Sequence, residues 1–406
     1  MARSQIYVGL EIGTSKICVV VGEVRSDGAI KILGVGQHPS TGVRKGEIID
    51  FETAQTCLHD ALVKAEDRSD VMVKQVFLAV TGSHIQSLNN RGTIRVSDDQ
   101  SEITQDDLDE VKKIARDIQL PNDHAFVHSI LQHYQVDGQG QLQNPLGMLG
   151  QKLEADYHII HGIKNRIQNA IRCIREIPLE VEDIVFSPVA AAQVVLNRDA
   201  KHQGAILIDI GGGTTEFICY LDGAVEASGC FGLGGDHITN DLSIVLKIPL
   251  ARAEKLKIEH GSCDVDSVAE GTIIDLEKDT GFAGSRVDQS IVNQIVESRL
   301  REMFELVKND LEAKGMLSRV GTGIYLTGGS SLTKDCSRLA EEIFSLPVQS
   351  SDESAMSGPA AIFENPQYAT PVGLIRYAQL LDEQRPGGKA GGLGKKVKGF
   401  FGFGKD

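Results

Sequence analysis

The chain contains 406 residues, of which 41% are hydrophobic and 24% are charged, and its formal net charge at pH 7 is -15. This length allows roughly two to four globular domains, and the acidic balance argues against nucleic acid as the main partner. The seven cysteines are scattered without a CxxC pair, which predicts a reducing cytoplasm rather than a zinc site or a disulfide framework, and no apolar run approaches the ~20 residues of a membrane span.

The first predicted element is a strand hairpin close to the N-terminus, IYVGLEIGTSKICVVVGEV. Glu11 stands near the end of its first apolar run, and the turn that follows combines a glycine with two hydroxyl residues, Gly13-Thr14-Ser15. Apolar spacing then predicts a helix over 51–64 and a buried strand over 76–81.

Residues 84–162 are predicted to form an inserted unit of strands and one helix that begins at Thr104. Strands are predicted over 126–136 and 157–161, with a polar loop over 137–150 between them. His124 and His128 are four residues apart and would form a possible metal pair on a helix. Pro121 and the strand-like pattern argue against a helix here, so we expect strand residues and not metal ligands.

Residues 163–203 are predicted to contain two helices separated by a strand over 181–186, and Ser187-Pro188 begins the second helix. The hairpin AILIDIGGGTTEFIC follows, from Ala205 to Cys219. Its glycine turn allows a ligand to approach the backbone closely, and backbone N–H groups with threonine hydroxyls can surround an anion. Asp209 beside this turn could hold Mg²⁺ directly or through water.

The glycine turn is not a P-loop, because no Gly-Lys-Ser/Thr follows it. Taken alone, it is equally consistent with a plain glycine-rich hairpin. When the two hairpins are aligned, however, both show the same order of acid, isoleucine and glycine. Glu11 then matches Asp209, and Gly13 matches Gly211. This repetition predicts two similar halves that face each other across a cleft.

Residues 236–315 are predicted to be a second insertion, with helices over 238–246 and 291–313, the segment AEKLKIE over 253–259, and strands over 265–274. Three arginines, Arg286, Arg299 and Arg301, either form a solvated basic face or a docking patch for a carboxylate-bearing peptide. We weigh the two alternatives equally.

A third glycine turn follows the apolar strand of IYLTGGSSL, over 324–332. It would suit the flat face of a base or a ribose. Further helices are predicted over 337–344 and 369–381.

The C-terminus is predicted to be a flexible linker over 382–394 followed by a basic amphipathic helix over 395–406. Leu393, Val397, Phe400 and Phe401 follow helical spacing, while the lysines lie mostly elsewhere around the helix. Such a segment suits the membrane interface, although a disordered basic tail is the alternative. The membrane-facing residues would be Lys395, Lys396, Val397, Lys398, Phe400, Phe401 and Phe403.

The three glycine turns, in this order, resemble the phosphate 1, phosphate 2 and adenosine motifs of the actin, DnaK and sugar-kinase superfamily. The resemblance implies an α/β, actin-like fold of two duplicated ribonuclease-H-like halves around a nucleotide cleft, with ATP and Mg²⁺ as cofactors. Glu11 and Asp209 would face the metal, and Glu254 and Lys257 would flank the adenosine. The implied nucleotide-binding residues are Glu11, Gly13, Thr14, Ser15, Lys16, Asp209, Gly211, Gly212, Gly213, Thr214, Thr215, Gly235, Glu254, Lys257, Gly328, Gly329 and Ser330.

The same resemblance implies a division of the chain. The first half would comprise residues 1–83, 163–203 and 369–381, with the insertion 84–162 used for contacts between subunits. The second half would comprise 204–235 and 316–368, with the insertion 236–315 on the adenosine side.

Length and the basic C-terminus together resemble the FtsA family of bacterial cell-division proteins. That resemblance implies a polymerising protein on the cytoplasmic face of the inner membrane at the division site. It would anchor the FtsZ ring, receive the FtsZ C-terminal tail on the second insertion and contact other division proteins.

Rival interpretations are a sugar-type kinase, for which no catalytic base can be assigned, and a DnaK-like chaperone, which would need a further domain. Catalytic residues stay unassigned. Ser187 stands where the superfamily often carries a water-orienting Glu or Gln, so we expect at most slow ATP hydrolysis.

Overall fold

A computed structural model describes residues 5–25, 28–96, 101–269, 271–278, 282–350, 356–357, 362 and 365–383. The predicted membrane helix and all but two residues of the predicted linker lie outside this part of the chain. No helix in the described ranges combines the length and apolar character needed to span a membrane.

The strands are, in chain order, β1 (Gln5–Ile12), β2 (Lys16–Val24), β3 (Ile30–Pro39), β4 (Val43–Arg44), β5 (Glu47–Ile48), β6 (Gln75–Val80), β7 (Gln86–Arg95), β8 (His124–Val136), β9 (Gln139–Leu142), β10 (Lys152–Ile163), β11 (Glu180–Phe186), β12 (Ala205–Ile210), β13 (Thr215–Leu221), β14 (Ala224–Phe231), β15 (Ile273–Leu276), β16 (Ser285–Asp288), β17 (Gly323–Thr327), β18 (Val348–Gln349) and β19 (Met356–Ser357). The helices are α1 (Phe51–Ser69), α2 (Gln105–Arg116), α3 (Lys164–Arg175), α4 (Ser187–Val195), α5 (Arg198–Gln203), α6 (Gly235–Leu246), α7 (Leu250–His260), α8 (Gln289–Ala313), α9 (Cys336–Phe344) and α10 (Ala369–Glu383).

Two large sheets repeat one topology. The first has the strand order β11-β6-β1-β2-β3-β19, and the second has the order β14-β13-β12-β17-β18. In each, three antiparallel strands follow one another along the chain, and the first of them pairs in parallel with a later strand. The predicted actin-like fold of duplicated halves is therefore confirmed.

Helices pack directly on the first sheet where glycine removes the side chain. A Cβ at Gly36 on β3 would lie 1.9 Å from the carbonyl oxygen of Ala61 on α1, and a Cβ at Gly9 on β1 would lie 2.2 Å from that of Pro371 on α10. Apolar side chains fill the space around these contacts, and each one fully buried contributes about 1.5–3 kcal/mol. Helices α1 and α10 therefore lie directly against the first sheet.

The segment between β6 and α3 forms its own sheet, in the order β7-β10-β8-β9, covered by α2. Helix α2 begins with a capping box in which the Thr104 side chain and Asp107 satisfy each other's backbone N–H groups. A separate apolar cluster that includes Ile103, Val111 and Leu153 lies between α2 and the sheet. This segment therefore has a small core of its own.

Two sequence predictions of secondary structure were wrong. The strands predicted over 265–274 are a short 3-10 turn, Val265–Ser267, and a strand that starts only at Ile273. The loop predicted over 137–150 contains a strand, β9, which pairs with β8. The strand predicted over 157–161 is confirmed, but it is part of the longer, twelve-residue β10, which pairs with neighbours on both sides. Its polar residues are satisfied by cross-strand partners such as Arg91, which single-strand periodicity could not reveal.

Candidate functional site

A concave site lies between the two halves, where the turns after β1, β12 and β17 meet. It encloses about 290 Å³, close to the lower limit of ordinary small-molecule sites. Fifteen of the predicted nucleotide-binding residues line it, namely Glu11, Gly13, Thr14, Ser15, Lys16, Asp209, Gly211, Gly212, Gly213, Thr214, Glu254, Lys257, Gly328, Gly329 and Ser330.

Two predicted residues, Thr215 and Gly235, are not among those that line the cleft. Thr215 is fully buried, and its hydroxyl donates to the carbonyl oxygen of Leu233 at 2.9 Å. Gly235 begins α6, and its N–H donates to the carbonyl oxygen of Gly211 at 2.9 Å. Thr215 therefore supports the second turn from behind, whereas Gly235 packs against cleft residues, since a Cβ there would lie 2.4 Å from the hydroxyl oxygen of Ser330 and 3.3 Å from Lys257 Nζ.

The two phosphate-type turns have matching backbone geometry. In the first, the Gly13 N–H donates to the carbonyl oxygen of Lys16 at 3.0 Å, and in the second the Gly211 N–H donates to that of Thr214 at 2.9 Å. Each turn thus presents glycine and hydroxyl residues at the end of a buried strand. The backbone N–H groups that follow Gly13 and Gly211 within such turns can cradle an anion.

The turns also touch each other across the cleft. A Cβ on Gly213 would lie 2.4 Å from the Thr14 hydroxyl oxygen and 2.8 Å from the Cα of Lys45. The Thr14 hydroxyl accepts a hydrogen bond from the Gly46 N–H at 2.9 Å. The missing side chain at Gly213 therefore lets the two halves approach to contact distance.

Burial raises the pKa of the two predicted metal-facing carboxyls. The pKa of Glu11 rises to about 7, opposed by Lys16 and reinforced by Asp209. Burial likewise raises the pKa of Asp209 to about 6, although the hydrogen bond from Thr370 and the charge of Lys16 act in the other direction. Carboxyls desolvated in this way favour protonation unless a cation compensates them.

A third carboxyl, which the sequence analysis did not single out, lies in the same place. Glu216 lines the cleft, is 4% exposed and pairs directly with Asp209 across β12 and β13. Burial, and next the charge of Asp209, raise the pKa of Glu216 well above its usual value. Four residues separate the two strands, so a regular hairpin places Ile210 opposite Thr215 and Asp209 opposite Glu216. The sequence could therefore have revealed this pairing.

The donor set fits a hydrated magnesium ion. Glu11 Oε2 and Glu216 Oε1 are buried and have no hydrogen-bond partner among the described residues. Within that part of the chain, no three or more His, Cys, Asp or Glu side chains are arranged as a closed metal site. Magnesium typically keeps several waters and takes one or two carboxylates, so the two predicted carboxyls, Glu11 and Asp209, would be enough to hold it.

The two predicted lysines are held by other groups. Lys16 Nζ donates to the backbone oxygen of Gln367 at 2.8 Å and lies over the ring of Tyr368. Lys257 Nζ donates to Glu254 Oε2 at 2.7 Å and to the hydroxyl of Thr239 at 2.9 Å. Gln367 and Thr370 therefore belong to the cleft, although no motif pointed to them.

The third glycine turn lines the cleft directly beside the second turn. Gly328 has φ +84°, and a Cβ there would lie 2.3 Å from Asp209 Oδ1. The hydroxyl of Ser330 donates to the carbonyl oxygen of Gly211 at 3.3 Å. Ile258 and Leu332 add exposed apolar surface beside these polar groups, an arrangement that can hold a flat, partly apolar ring.

Ser187 does not line the cleft. It is 2% exposed, and its hydroxyl donates to the carbonyl oxygen of Val80 at 3.3 Å. The side chain therefore points into the packing between α4 and β6, where it cannot orient a water molecule in the cleft.

The three predicted docking arginines are already paired. Arg299 contacts Asp241 and Glu302, and Arg301 contacts Glu297 and Glu342. Arg286 pairs with Asp275 at 3.0 Å, with both side chains three-quarters exposed. Exposed pairs of this kind contribute about 0–1 kcal/mol, so Arg286 can exchange its partner most easily.

His124 and His128 lie on β8, a strand as expected. His124 Nδ1 is 2.7 Å from Nδ1 of His161, and His128 Nε2 accepts a hydrogen bond from the backbone N–H of Phe186 at 2.9 Å. The predicted membrane-facing residues 395–403 lie outside the described residues.

Two family models match the chain. One, described as "Cell division protein FtsA", covers residues 206–373, and one described as "SHS2 domain inserted in FTSA" covers residues 82–161. Proteins named "Cell division protein FtsA" are 34% identical in Pseudomonas aeruginosa, covering 92% of this chain and 89% of that protein, and 34% identical in Neisseria meningitidis, covering 98% and 96%.

Solved structures share the fold at low sequence identity. The "PilM-PilN type IV pilus biogenesis complex" aligns with a TM-score of 0.66 at 14% identity, covering 91% of this chain and 97% of that one. Ethanolamine utilization protein EutJ from Carboxydothermus hydrogenoformans aligns with a TM-score of 0.51 at 17% identity, covering 92% and 90%.

Proposed function

The chain belongs to the FtsA family of cell-division proteins, and from this premise we propose that it binds ATP, polymerises and anchors the FtsZ ring to the cytoplasmic face of the cell membrane. The observation that carries the ATP-binding part is the pair of matching turns, one from each half, which enclose buried carboxyls in one cleft. The sugar-kinase alternative is not favoured, because the similar proteins over nearly the whole chain are division proteins.

The two turns would hold the phosphates of ATP. Backbone N–H groups of Thr14, Ser15, Gly212 and Gly213 and the hydroxyls of Thr14 and Thr214 would supply the hydrogen-bond donors, while Gly13 shapes the first turn. Magnesium, when bound, would neutralise phosphate charge and would be held by Glu11 and Asp209.

The adenosine would lie between α7 and the third glycine turn. Glu254 and Lys257 face the cleft from α7, and Ile258 with Leu332 can cover the apolar faces of the base. Since Ser187 is turned away from the cleft, we expect slow hydrolysis at most, so binding and not turnover would govern the protein's state.

The C-terminal segment 395–406 would bind the membrane as an amphipathic helix. Each lysine near an anionic leaflet contributes about 1 kcal/mol, and each partly inserted phenylalanine contributes about one or two more. Ordering a glycine-rich segment costs about 1 kcal/mol or more per residue, so a single tail would bind weakly. Many tails on one filament would bind firmly through avidity, which links the membrane role to self-assembly.

The second insertion would receive the C-terminal tail of FtsZ. Its surface carries Arg286 in an exposed, weak ion pair, and a guanidinium suits carboxylate groups through its forked donors. Arg299 and Arg301 would take part only by releasing their present partners.

The test is co-sedimentation of the full chain with phosphatidylglycerol-containing liposomes in the presence of ATP and Mg²⁺. We expect the full chain to pellet and to carry FtsZ with it, whereas a chain ending at Gln384 stays in the supernatant. The double variant Phe400→Ser/Phe401→Ser should behave like the truncation. Met72→Ser is the matched control, because it removes an apolar side chain that is 79% exposed on the folded body.

Equal sedimentation of the full and shortened chains would contradict the membrane role of the tail. Pelleting without FtsZ would contradict the tether while leaving membrane binding in place. Phosphorylation of sugars by the purified chain would support the kinase alternative.

A further inference from the structure

Two buried cysteines meet beneath the adenosine side of the cleft. Cys263 follows α7 and Cys336 opens α9, and each is 1% exposed. They belong to the same apolar cluster of the second half, and their side chains are hydrogen-bonded to each other. In the sequence they are 73 residues apart, so spacing gave no sign of the pair.

The backbone fixes this contact from both sides. Ser262 and Lys334 form a parallel β-bridge, and the Cys263 N–H donates to the carbonyl oxygen of Lys334 at 2.8 Å. The hydroxyl of Ser262 donates to Asp335 Oδ2 at 2.7 Å. The two thiols are therefore held next to each other by their neighbours and do not meet by chance rotation of exposed side chains.

The bridge joins the two walls between which the adenosine would lie. One wall is α7, which contributes Glu254, Lys257 and Ile258 to the cleft, and the other is the segment from Gly328 to Thr333. Cys263 lies three residues beyond the last residue of α7, and Cys336 lies three residues beyond Thr333. A covalent bond at this point would restrict the separation of the two walls.

We propose that Cys263 and Cys336 form a redox-sensitive dithiol, and that a low-molecular-weight disulfide oxidises it to a bond that locks the base of the nucleotide cleft. The effect on nucleotide rests on the proposed ATP site, whereas the covalent step does not. In a reducing pool the pair stays as two thiols, and a disulfide of the glutathione class supplies the oxidant.

The chemistry balances as two exchange steps. The hydrogen bond between the two thiols and their burial raise the pKa of Cys263, so exchange begins when local opening exposes one thiol and lets it ionise. The protein thiolate formed in this way attacks the reagent's sulfur–sulfur bond, forms a mixed disulfide and releases one reagent thiolate, which takes up a proton. The second protein thiolate then attacks the protein sulfur of the mixed disulfide and releases the other reagent thiol. Two protein thiols are oxidised, one reagent disulfide is reduced to two thiols, and the protein loses two hydrogen atoms.

The experiment incubates the folded full chain with oxidised glutathione, alkylates the remaining thiols after denaturation and maps the peptides by mass spectrometry. We expect one cross-linked peptide pair that joins Cys263 to Cys336, is two hydrogen atoms lighter than the reduced pair and disappears with dithiothreitol. Cys263→Ser and Cys336→Ser should each abolish it. Cys57→Ser, the same change at a buried thiol of the first half, should leave it intact.

Alkylation of both thiols in the wild-type chain, glutathione adducts alone, or cross-links to other cysteines would overturn the proposal. The locking effect has a separate readout, the release rate of a fluorescent ATP analogue with Mg²⁺. We expect release to be about fivefold or more slower after oxidation, with no change in Cys263→Ser.

An unchanged release rate in a fully cross-linked sample would overturn the lock. If neither the reduced nor the oxidised chain binds the analogue, the proposed ATP site fails while the peptide map still decides whether the disulfide forms.

Discussion

The two halves share their backbone at the cleft but differ in one pair of side chains. On β1 and β2, Glu11 faces Cys18, whereas at the matching register of β12 and β13, Asp209 faces Glu216. The first half therefore brings one carboxyl and one thiol to its turn, and the second half brings two carboxyls. Strand order and turn geometry were retained between the halves, while the chemistry diverged at a position that the backbone does not constrain.

This difference places more carboxyl groups in the second half. Lys16 from the first half partly compensates them, because its charge lowers the pKa values of both Glu11 and Asp209. Its ammonium group nevertheless donates to Gln367. We therefore expect the second half to dominate cation binding, and the following changes test that asymmetry.

The largest effect is expected from Asp209→Asn. The carboxylate is positioned by the Thr370 hydroxyl at 3.2 Å and packs against Gly328, so in the proposed site its charge would face Mg²⁺ without further ordering. Loss of this charge should weaken Mg²⁺-dependent ATP binding about 100-fold, or about 3 kcal/mol. Glu11→Gln should weaken it only about tenfold. Isothermal titration calorimetry measures both.

Titration with ATP in the presence of a chelator serves as the control, since neither variant should then differ more than about threefold from the wild type. Equal losses of ATP affinity in the two variants would show that both halves contribute equally to cation binding, and would contradict the proposed asymmetry.

The next effect concerns the contact between the turns. Gly213→Ala places a methyl group against Thr14 and the backbone of Lys45, so the halves must move apart. We expect about a tenfold loss of ATP affinity. Gly211→Ala is the matched control, because its nearest contact would be 3.3 Å from the carbonyl oxygen of Thr214 within the same turn. Similar behaviour of the two variants would contradict a cleft that depends on close approach of the turns.

Much of the fold could be predicted from the sequence, because the signals were local. The match of Glu11 with Asp209 revealed the duplication, and each glycine turn followed a continuous apolar strand. Family membership, recognised from those motifs and the C-terminus, is confirmed.

The remainder depends on contacts between distant segments. Glu216 has a cleft role only because strand register places it opposite Asp209. Lys16 is directed to Gln367, which is 351 residues away in the sequence. Likewise, Ser187 follows the expected strand, but the packing of α4 turns it toward Val80. The motifs therefore predicted where the backbone of these residues lies, but they could not predict the direction in which the side chains point.

A pH dependence should follow from the buried carboxyls. Burial raises the pKa of Glu11 from 4.5 to about 7 in the folded chain, so the folded state holds more protons than the unfolded state between these values. The free energy of unfolding of the nucleotide-free protein should then fall as pH rises through this window. Glu11 alone accounts for about 3 kcal/mol, and Glu216 acts in the same direction.

Urea denaturation at pH 5 and pH 8 measures this slope. Glu11→Gln and Glu216→Gln should each flatten it, and the exposed Glu52→Gln should not. If the free energy of unfolding does not fall from pH 5 to pH 8 in the wild type, or changes equally in the wild type and in the two cleft variants, the cleft carboxyls are not protonated as assigned.

The smallest effect is expected from Cys18→Ala, the change at the position that matches Glu216. Cys18 is fully buried, and burial raises the pKa of its thiol to about 12, so it remains neutral and contributes packing alone. Removing the sulfur should cost about 1 kcal/mol of unfolding free energy and change ATP affinity less than about twofold. Urea denaturation and calorimetry test the two parts separately. A tenfold loss of ATP affinity would mean that both halves use this register position to bind the ligand. The difference between Cys18 and Glu216 would then not separate the two halves by function.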